Sequence, residues 1–301
     1  MKYPKIPVFF LAAAMSTSTL VVAGDDDDEE PFEEARLFFE LNDTDGDLGI
    51  HGKIDGDEWK RLEIEDPNER TMMKVRARGR LGRQGLTELF FESAEPTFDD
   101  LDPDDFFDRF PEGWYEIEGL TLDYEERESE VYLSHVMPAA PAGVTTVGAN
   151  GPVDSAADCD VEPLPYVDPT GGVTIDWNPV TMSHLTLGTP ANATLSSLGT
   201  EGVSVLYYEV VVEIDESAFK TSAFVPADVT EWTFSEDFFD LSEEGEYKYE
   251  ILVRTNIIDE DGDVVEADVV EDGIVVDEVV VPGNKSAMES CFTVEEPEVS
   301  E

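Results

Sequence analysis

VLYYEVVVEID, residues 205–215, decides how this chain is read. Tyr208, Val210, Val212 and Ile214 alternate with Glu209 and Glu213, the period of a strand that buries one face and wets the other. The same pattern recurs on both sides. Strands are expected over Val173–Trp177, Val203–Ile214, Thr230–Phe234, Glu246–Asn256, Val264–Val270, Ile274–Val281 and Ser286–Val294. Asp261-Gly262 and Asp272-Gly273 suit tight hairpins between them. Short strands at this spacing with alternating burial imply a β-sandwich.

Upstream, PAAPAGVTTVGANGPVDSAAD at 138–158 has few charges and no sustained apolar period, and reads as a linker. The preceding segment, 31–137, is mixed. Pro31 to Leu41 is expected as a short helix with Pro31 in its first turn. Met72 to Leu81 alternates as a strand, with Lys74, Arg76, Arg78 and Arg80 on one face, and Leu86 to Ser93 is its expected partner. In so acidic a chain those basic residues are expected to pair with carboxylates, with recognition of an anion as the alternative. Asp102 caps a second helix that has Pro103 at its first position and Phe106, Phe107 and Phe110 on its apolar side. Trp114–Leu122 and Glu130–Met137 form a hairpin. The fold class is therefore mostly β, with an α+β N-terminal module followed by a β-sandwich.

Lys2 and Lys5 precede the apolar run Val8 to Ala14, and Val21-Val22-Ala23 precede Gly24. This is the pattern of a secretory signal peptide over 1–23, with a retained N-terminal anchor as the alternative. No later segment reaches the roughly 20 apolar residues of a spanning helix, so no membrane span is expected. The boundaries that follow are an acidic tail at 24–30, the module at 31–137, the linker at 138–158, the sandwich at 159–296 and a tail at 297–301. The formal charge is −53, and loss of the two leader lysines takes it to −55. Such a field repels phosphate and anionic lipid, so nucleic acid is not an expected partner. Cys159 and Cys291 are the only cysteines. An even count in an exported chain favours one disulfide between them, with two free thiols as the alternative.

Within the second half, VTIDWNPV at 173–180 resembles the second strand of a fibronectin type III domain, with Trp177 as the core tryptophan. VLYYEVVVEID is similar to that family's third strand, LSEEGEYKYEILVR at 241–254 resembles its tyrosine-corner turn and next strand, and NKSAMESCFTV at 284–294 resembles its last. The resemblance implies a fibronectin type III-like sandwich that presents loops or an edge strand to a partner. Two insertions depart from the family, Thr181–Gly202 and Asp259–Gly283.

DTDGDLGIHGKIDGDE, 43–58, carries acids at alternate positions, which is what a hard divalent cation needs from a short loop. It resembles an EF-hand loop with Asp43, Asp45 and Asp47 at positions 1, 3 and 5. Gly49 comes one residue late, and Ile54 stands where a glutamate should close the shell. The expected ligands are Asp43, Asp45, Asp47, Gly49 and Glu58, the ion calcium, and Trp59 and Leu62 the start of an exiting helix. Asp259-Glu260-Asp261-Gly262-Asp263 is read as a hairpin turn instead.

His51, His135 and His184 have no paired metal spacing, and there is no GxSxG nucleophile. Asn192-Ala193-Thr194 matches a glycosylation acceptor. The expectation is an exported, calcium-binding, non-enzymatic binding or structural protein of the cell exterior or periplasm, with protein or polysaccharide as its partner. The alternative is an accessory subunit or hydrolase acting on extracellular polysaccharide, which would show as a pocket holding a carboxylate pair with shifted protonation.

Overall fold

A computed structural model describes Thr19–Val21 and residues 30–154, 156, 159, 163–188, 202–214, 219–241, 245–259, 261–271 and 274–296. Thr19–Val21 is strand β1, and it pairs with a strand of the second half named below. The first half begins with two long strands, β2 (Glu34–Asn42) and β3 (Asp47–Glu65), in one antiparallel hairpin. Pro31–Leu41, expected as a helix, is thus extended chain. The reason is a period of two: Ala35, Leu37, Phe39 and Leu41 face the core, while Glu34, Arg36 and Glu40 face away. Trp59 and Leu62, the expected start of an exiting helix, lie within β3 and are fully buried.

β3 bends, so that one sheet folds over on itself and the two halves of the strand have different neighbours. Its register shifts between Asp55 and Trp59, where Asp57 and Glu58 are both exposed. Beyond the bulge it pairs with β4 (Thr71–Arg76); a short helix α1 (Leu81–Gln84) then leads to β5 (Leu86–Glu92), which pairs with its first half. Helix α2 (Pro103–Arg109) is capped as expected, the Asp102 carboxylate accepting from Asp104 N at 2.9 Å. The hairpin β6 (Gly113–Thr121) and β7 (Glu126–Leu133) extends the sheet from the far half of β3. Within the bend of this sheet lies a core around Phe39, Trp59 and Tyr115, and Phe106 and Phe107 of α2 meet the Phe39 ring edge-on at 5.5 and 5.3 Å. Gly119 admits the Phe32 ring, which a Cβ there would meet at 2.4 Å.

The stretch read as a linker is structured. Ala142–Gly148 is β8 and Gly151–Asp154 is β9, a hairpin. Val144 and Val153 reach the second core, and Thr146 donates to the Tyr249 hydroxyl at 3.3 Å. The remaining strands are β10 (Val173–Asn178), β11 (Val205–Ile214), β12 (Lys220–Pro226), β13 (Glu231–Phe234), β14 (Glu246–Asn256), β15 (Glu266–Glu271), β16 (Ile274–Val280) and β17 (Pro282–Thr293), with a one-turn helix α3 (Glu236–Phe239) before β14. One sheet runs β13-β10-β8-β9, and the facing one contains β12-β11-β14-β17. The second half is therefore a fibronectin type III-like β-sandwich, with β8 supplying its first strand. Trp177, Tyr208, Tyr247, Tyr249 and Phe292 fill its core. The tyrosine corner is present: Tyr247 donates its hydroxyl hydrogen to Phe239 O at 2.7 Å. The Cys159–Cys291 disulfide spans 132 residues and ties the approach to β10 onto β17. Asp259–Asp263 is a turn, in which the Asp259 carboxylate accepts from Asp261 N and Asp263 N. Asp272-Gly273 and Asn192–Thr194 fall outside the described residues.

The two halves share one sheet. β17 pairs in parallel with β2, Lys285 opposite Glu40, Ser286 opposite Leu41 and Ala287 opposite Asn42, giving ten strands in a single hydrogen-bonded sheet. Asn284 locks this joint: its Oδ1 accepts from Phe39 N at 2.8 Å, and its Nδ2 donates to Ser134 O and Val136 O at 2.7 and 2.9 Å. Ser286 Oγ adds a bond to Pro138 O at 2.7 Å. The insertion at 259–283 contributes the apolar half of the contact. Ile257, Val265, Ala267 and Val281 pack on Tyr132 of β7, with Trp114 of β6 beside them. β1 lies against β15 at the outer edge of this insertion.

Replacing Asn284 by leucine keeps the branched outline of the side chain but leaves Phe39 N, Ser134 O and Val136 O unmatched. A loss of about 3 kcal/mol is expected, roughly 1 kcal/mol for each orphaned partner. Equilibrium urea denaturation measures it, and an unchanged midpoint would show that the amide does not hold the joint.

Candidate functional site

Where strands of both halves run side by side, their outward side chains form one surface. Alternation fixes which residues these are. On β14 they are Lys248, Glu250, Leu252 and Arg254; on β17, Lys285, Ala287 and Glu289; on β2, Phe38 and Glu40. β11 adds Glu209 and Val211, and β3 with β5 adds His51 and Phe90. An open cleft of about 230 Å³ lies on this face, its lining drawn from β11, β12, β14, β17, β2, β3 and β5.

The floor is partly apolar and partly charged. Val211, Leu252 and Ala287 make a small buried cluster of their own. Beside it, Lys285 pairs with Glu40, and Lys248 with Glu289 at 2.5 Å. His51, 4 % exposed, sets Nε2 3.0 Å from Glu95 and 3.3 Å from Glu40, and stacks its ring on Phe38 at 5.2 Å. The Arg254 guanidinium covers the other face of this aromatic pair, 4.0 Å from the Phe38 centroid, and donates to Gly283 O at 3.1 Å. Arg254 is buried, so the joint holds a charge that Phe38 and a carbonyl stabilise.

Carboxylates outnumber cations here, and their protonation responds. Glu250 stands directly across the ladder from Glu289. Burial, followed by the charge of Glu289, pushes its carboxyl up to about 7, although Lys248 pulls the other way. Asp47 is pushed up to about 6, first by burial and then by Glu95, Asp45 and Glu289. The sign follows from the direction. Each group holds its proton in the folded state at pH values where the unfolded chain has lost it.

The five residues of the expected calcium set are not brought together. Asp43 to Gly46 is the turn between β2 and β3, with Gly46 at φ +66°. Asn42, not an aspartate, organises the turn: its Oδ1 accepts from Thr44 N and Asp45 N. Asp43 faces away to His184, whose Nε2 lies 2.9 Å from Asp43 Oδ1. Thr44 Oγ1 accepts from Glu289 N at 2.8 Å, fastening the turn to β17. Asp47 begins β3, and Gly49 lies under the Glu95 side chain, which a Cβ would meet at 2.3 Å. Glu58 is carried past the bulge to the other end of the module, against Gly85. An extended strand of this length separates its ends by tens of ångströms, on the order of 3.3 Å per residue, so Glu58 does not close a shell with Asp43. Among the described residues no three His, Cys, Asp or Glu side chains are grouped to hold a metal ion. The acids that do approach Asp47 are Glu95 and Glu289, both remote in sequence.

On the basic strand face, Lys74 pairs with Glu63 at 2.5 Å, and this bond together with Thr71 holds the Glu63 carboxyl below its usual range. The residues that sequence reasoning passed over are Glu209, Glu250, Glu95 and Arg254. Nothing local marks them, because acids occur throughout the chain; only the cross-strand register shows which of them face one another.

Among the described residues no helix is long and apolar enough to cross a membrane. No protein-family model and no curated protein matches the chain. Among solved structures it is similar to the FN1–FN3 domains of chicken CNTN1, at 8 % identity and TM-score 0.26, covering 85 % of this chain and 69 % of that one. It is also similar to a two-domain fibronectin type III segment from chicken tenascin, at 10 % identity and TM-score 0.21, covering 86 % and 97 %. A structure bearing on host cell surface retention of a 1.5-MDa bacterial ice-binding adhesin gives 11 % identity and TM-score 0.21, covering 88 % and 65 %.

Substitution of Glu250 by glutamine tests the electrostatics of the face. In the parent chain the raised carboxyl makes stability fall as pH rises from about 4.5 to about 7, the window between its ordinary and its folded values. E250Q is expected to melt higher than the parent at pH 8 and to lose most of that slope. Thermal melts at pH 5 and pH 8 read it, and a variant no more stable at pH 8 would contradict the assignment.

Proposed function

We propose that this chain is an exported, non-enzymatic binding or structural component of the cell exterior or periplasm. The observation that supports it is the parallel pairing of β17 with β2, which joins a sandwich to a second β module without a hinge. Domains linked by a flexible segment move against each other by default, and a shared ladder suppresses that motion. Such a unit suits holding a surface at a fixed orientation. The leader-like pattern at 1–23, the disulfide and the acidic composition support work outside the cytoplasm. Expression with the native N-terminus tests the location: the exported chain is expected to begin near Gly24, and N-terminal sequencing of a protein retained whole inside the cell would overturn it.

Calcium belongs to this proposal through the field at the joint. The carboxylates that raise Asp47 would draw divalent cations toward this end of the joint by their field, without forming a grouped set of ligands among the described residues. Millimolar calcium is expected to raise the melting temperature of the parent and to leave that of the Asp45→Asn/Asp47→Asn variant unchanged. Equal response of both, or of neither, removes calcium from the reading.

A second reading, hydrolysis of extracellular polysaccharide, draws on Glu250 alone, a carboxyl protonated near neutrality beside the carboxylate of Glu289. Release of reducing ends from a polysaccharide panel, abolished by E250Q, would establish it.

A further inference from the structure

The cleft over the joined sheet has a composition that selects a partner. Glu92, Glu209 and Glu250 line it without an ion pair among the described residues; of the two lysines that line it, Lys285 is committed to Glu40 and Lys220 is exposed at the β12 edge, so carboxylates remain in excess. Val211 and Leu252, 8 % and 5 % exposed, give its floor an aliphatic strip, and Phe90, 58 % exposed, stands on its rim. Unpaired carboxylates, an apolar strip and an exposed ring together match one kind of side chain. The methylene stem of lysine or arginine packs on aliphatic surface, its head takes carboxylates, and an aromatic face attracts the cation. A second copy of this chain, itself at −53, is repelled from this face.

We infer that the cleft formed by β11, β12, β14, β17, β2, β3 and β5 binds a basic, extended polypeptide segment, seating a lysine or arginine side chain between Phe90 and the Glu209–Glu250 carboxylates. The inference deepens the binding half of the function proposed above and rests on it. The cleft draws its wall from both modules: Phe90, Glu92 and His51 from the first, Glu209, Glu250 and Leu252 from the second. An occupant therefore contacts both sides of the β17–β2 joint at once.

The site also carries its own pH signature. Glu250 is faced by Glu209 and Glu213 from β11, Glu289 and Lys285 from β17, Glu40 from β2 and Lys248 on its own strand. Its ionisation near neutrality adds a negative charge to the cleft as pH rises, so cation binding strengthens between about pH 6 and pH 8.

Calorimetric titration of the full chain with a lysine decapeptide and, separately, with a chitosan hexamer provides the test. Peptide binding is expected to weaken about tenfold in Glu209→Gln/Glu250→Gln and severalfold in Phe90→Ala. The control Asp99→Asn/Asp100→Asn removes the same number of exposed charges elsewhere and is expected to change affinity less than about twofold. Binding of the parent is expected to strengthen from pH 6 to pH 8, and E250Q to lose that dependence. Equal weakening by the control would show diffuse attraction to an acidic surface and overturn the site. Binding of the chitosan hexamer in place of the peptide would overturn the peptide assignment. Absence of all binding, with circular dichroism and melting unchanged, removes the cleft as a site and leaves the two-module structural role standing.

Discussion

One amide side chain and the strand that carries it hold the architecture together. β17 closes the sandwich on one edge and receives β2 on the other, and Asn284 at its start reaches three backbone groups of the first module. A buried amide is expensive to place unless every polar atom is matched, and here the geometry matches it only when both modules are folded and in register. The joint therefore reports on the folding of both sides. It also covers a sheet edge of the sandwich that would otherwise present unpaired backbone groups.

The insertions that set the second half apart from a plain sandwich acquire a purpose in this frame. The excursion from Asp259 to Gly283 places Val265, Ala267 and Val281 on Tyr132, so it supplies apolar area next to a joint that is mostly polar. In the other insertion, His184 meets Asp43 in the β2–β3 turn, and Met182 O accepts from Ala139 N. In both departures, described residues meet the first module: His184 in one, and Val265, Ala267 and Val281 in the other. Parallel pairing over three residues is a short contact, and these additions extend it with packing and hydrogen bonds.

The same joint concentrates charge. Strands from two modules bring Glu40, Glu92, Glu95, Glu209, Glu250 and Glu289 onto one face, and the cations there, Lys220, Lys248, Lys285 and Arg254, are too few to neutralise them all. Like charges across a ladder are destabilising, so the face spends stability that the cores and the disulfide must offset. Burial of Glu250 raises the cost further and leaves its proton in place near neutrality. A cationic partner relieves such a surface most directly, which is why its unpaired carboxylates, and not the calcium-like loop, carry the functional reading.

Much of the second half was legible because alternation is a local property. Tyr208, Val210 and Val212 face inward for the reason their spacing announces, and Trp177 and Tyr247 sit where the resemblance to a fibronectin type III domain implies. The α2 cap at Asp102 and the Asp259–Asp263 turn were equally local. Other segments misled because a stronger pattern was passed over or masked. Ala35, Leu37, Phe39 and Leu41 keep a strand period beneath a proline that suggested a helix, and glycine and alanine hid the strands at 142–154. By itself the sequence determined most of the strands from Val173 onward and the acidic surface, and through its resemblance to a fibronectin type III domain the tyrosine corner, since each depends on side-chain period, composition or a short-range hydrogen bond. Only the tertiary structure decided that β2 adds to β17, that Glu58 lies far from Asp43, and that Glu209, Glu250 and Phe90 border one cleft. Those are matters of register between segments far apart in the chain, and register is set by packing and by single matched groups such as Asn284, which no local pattern encodes.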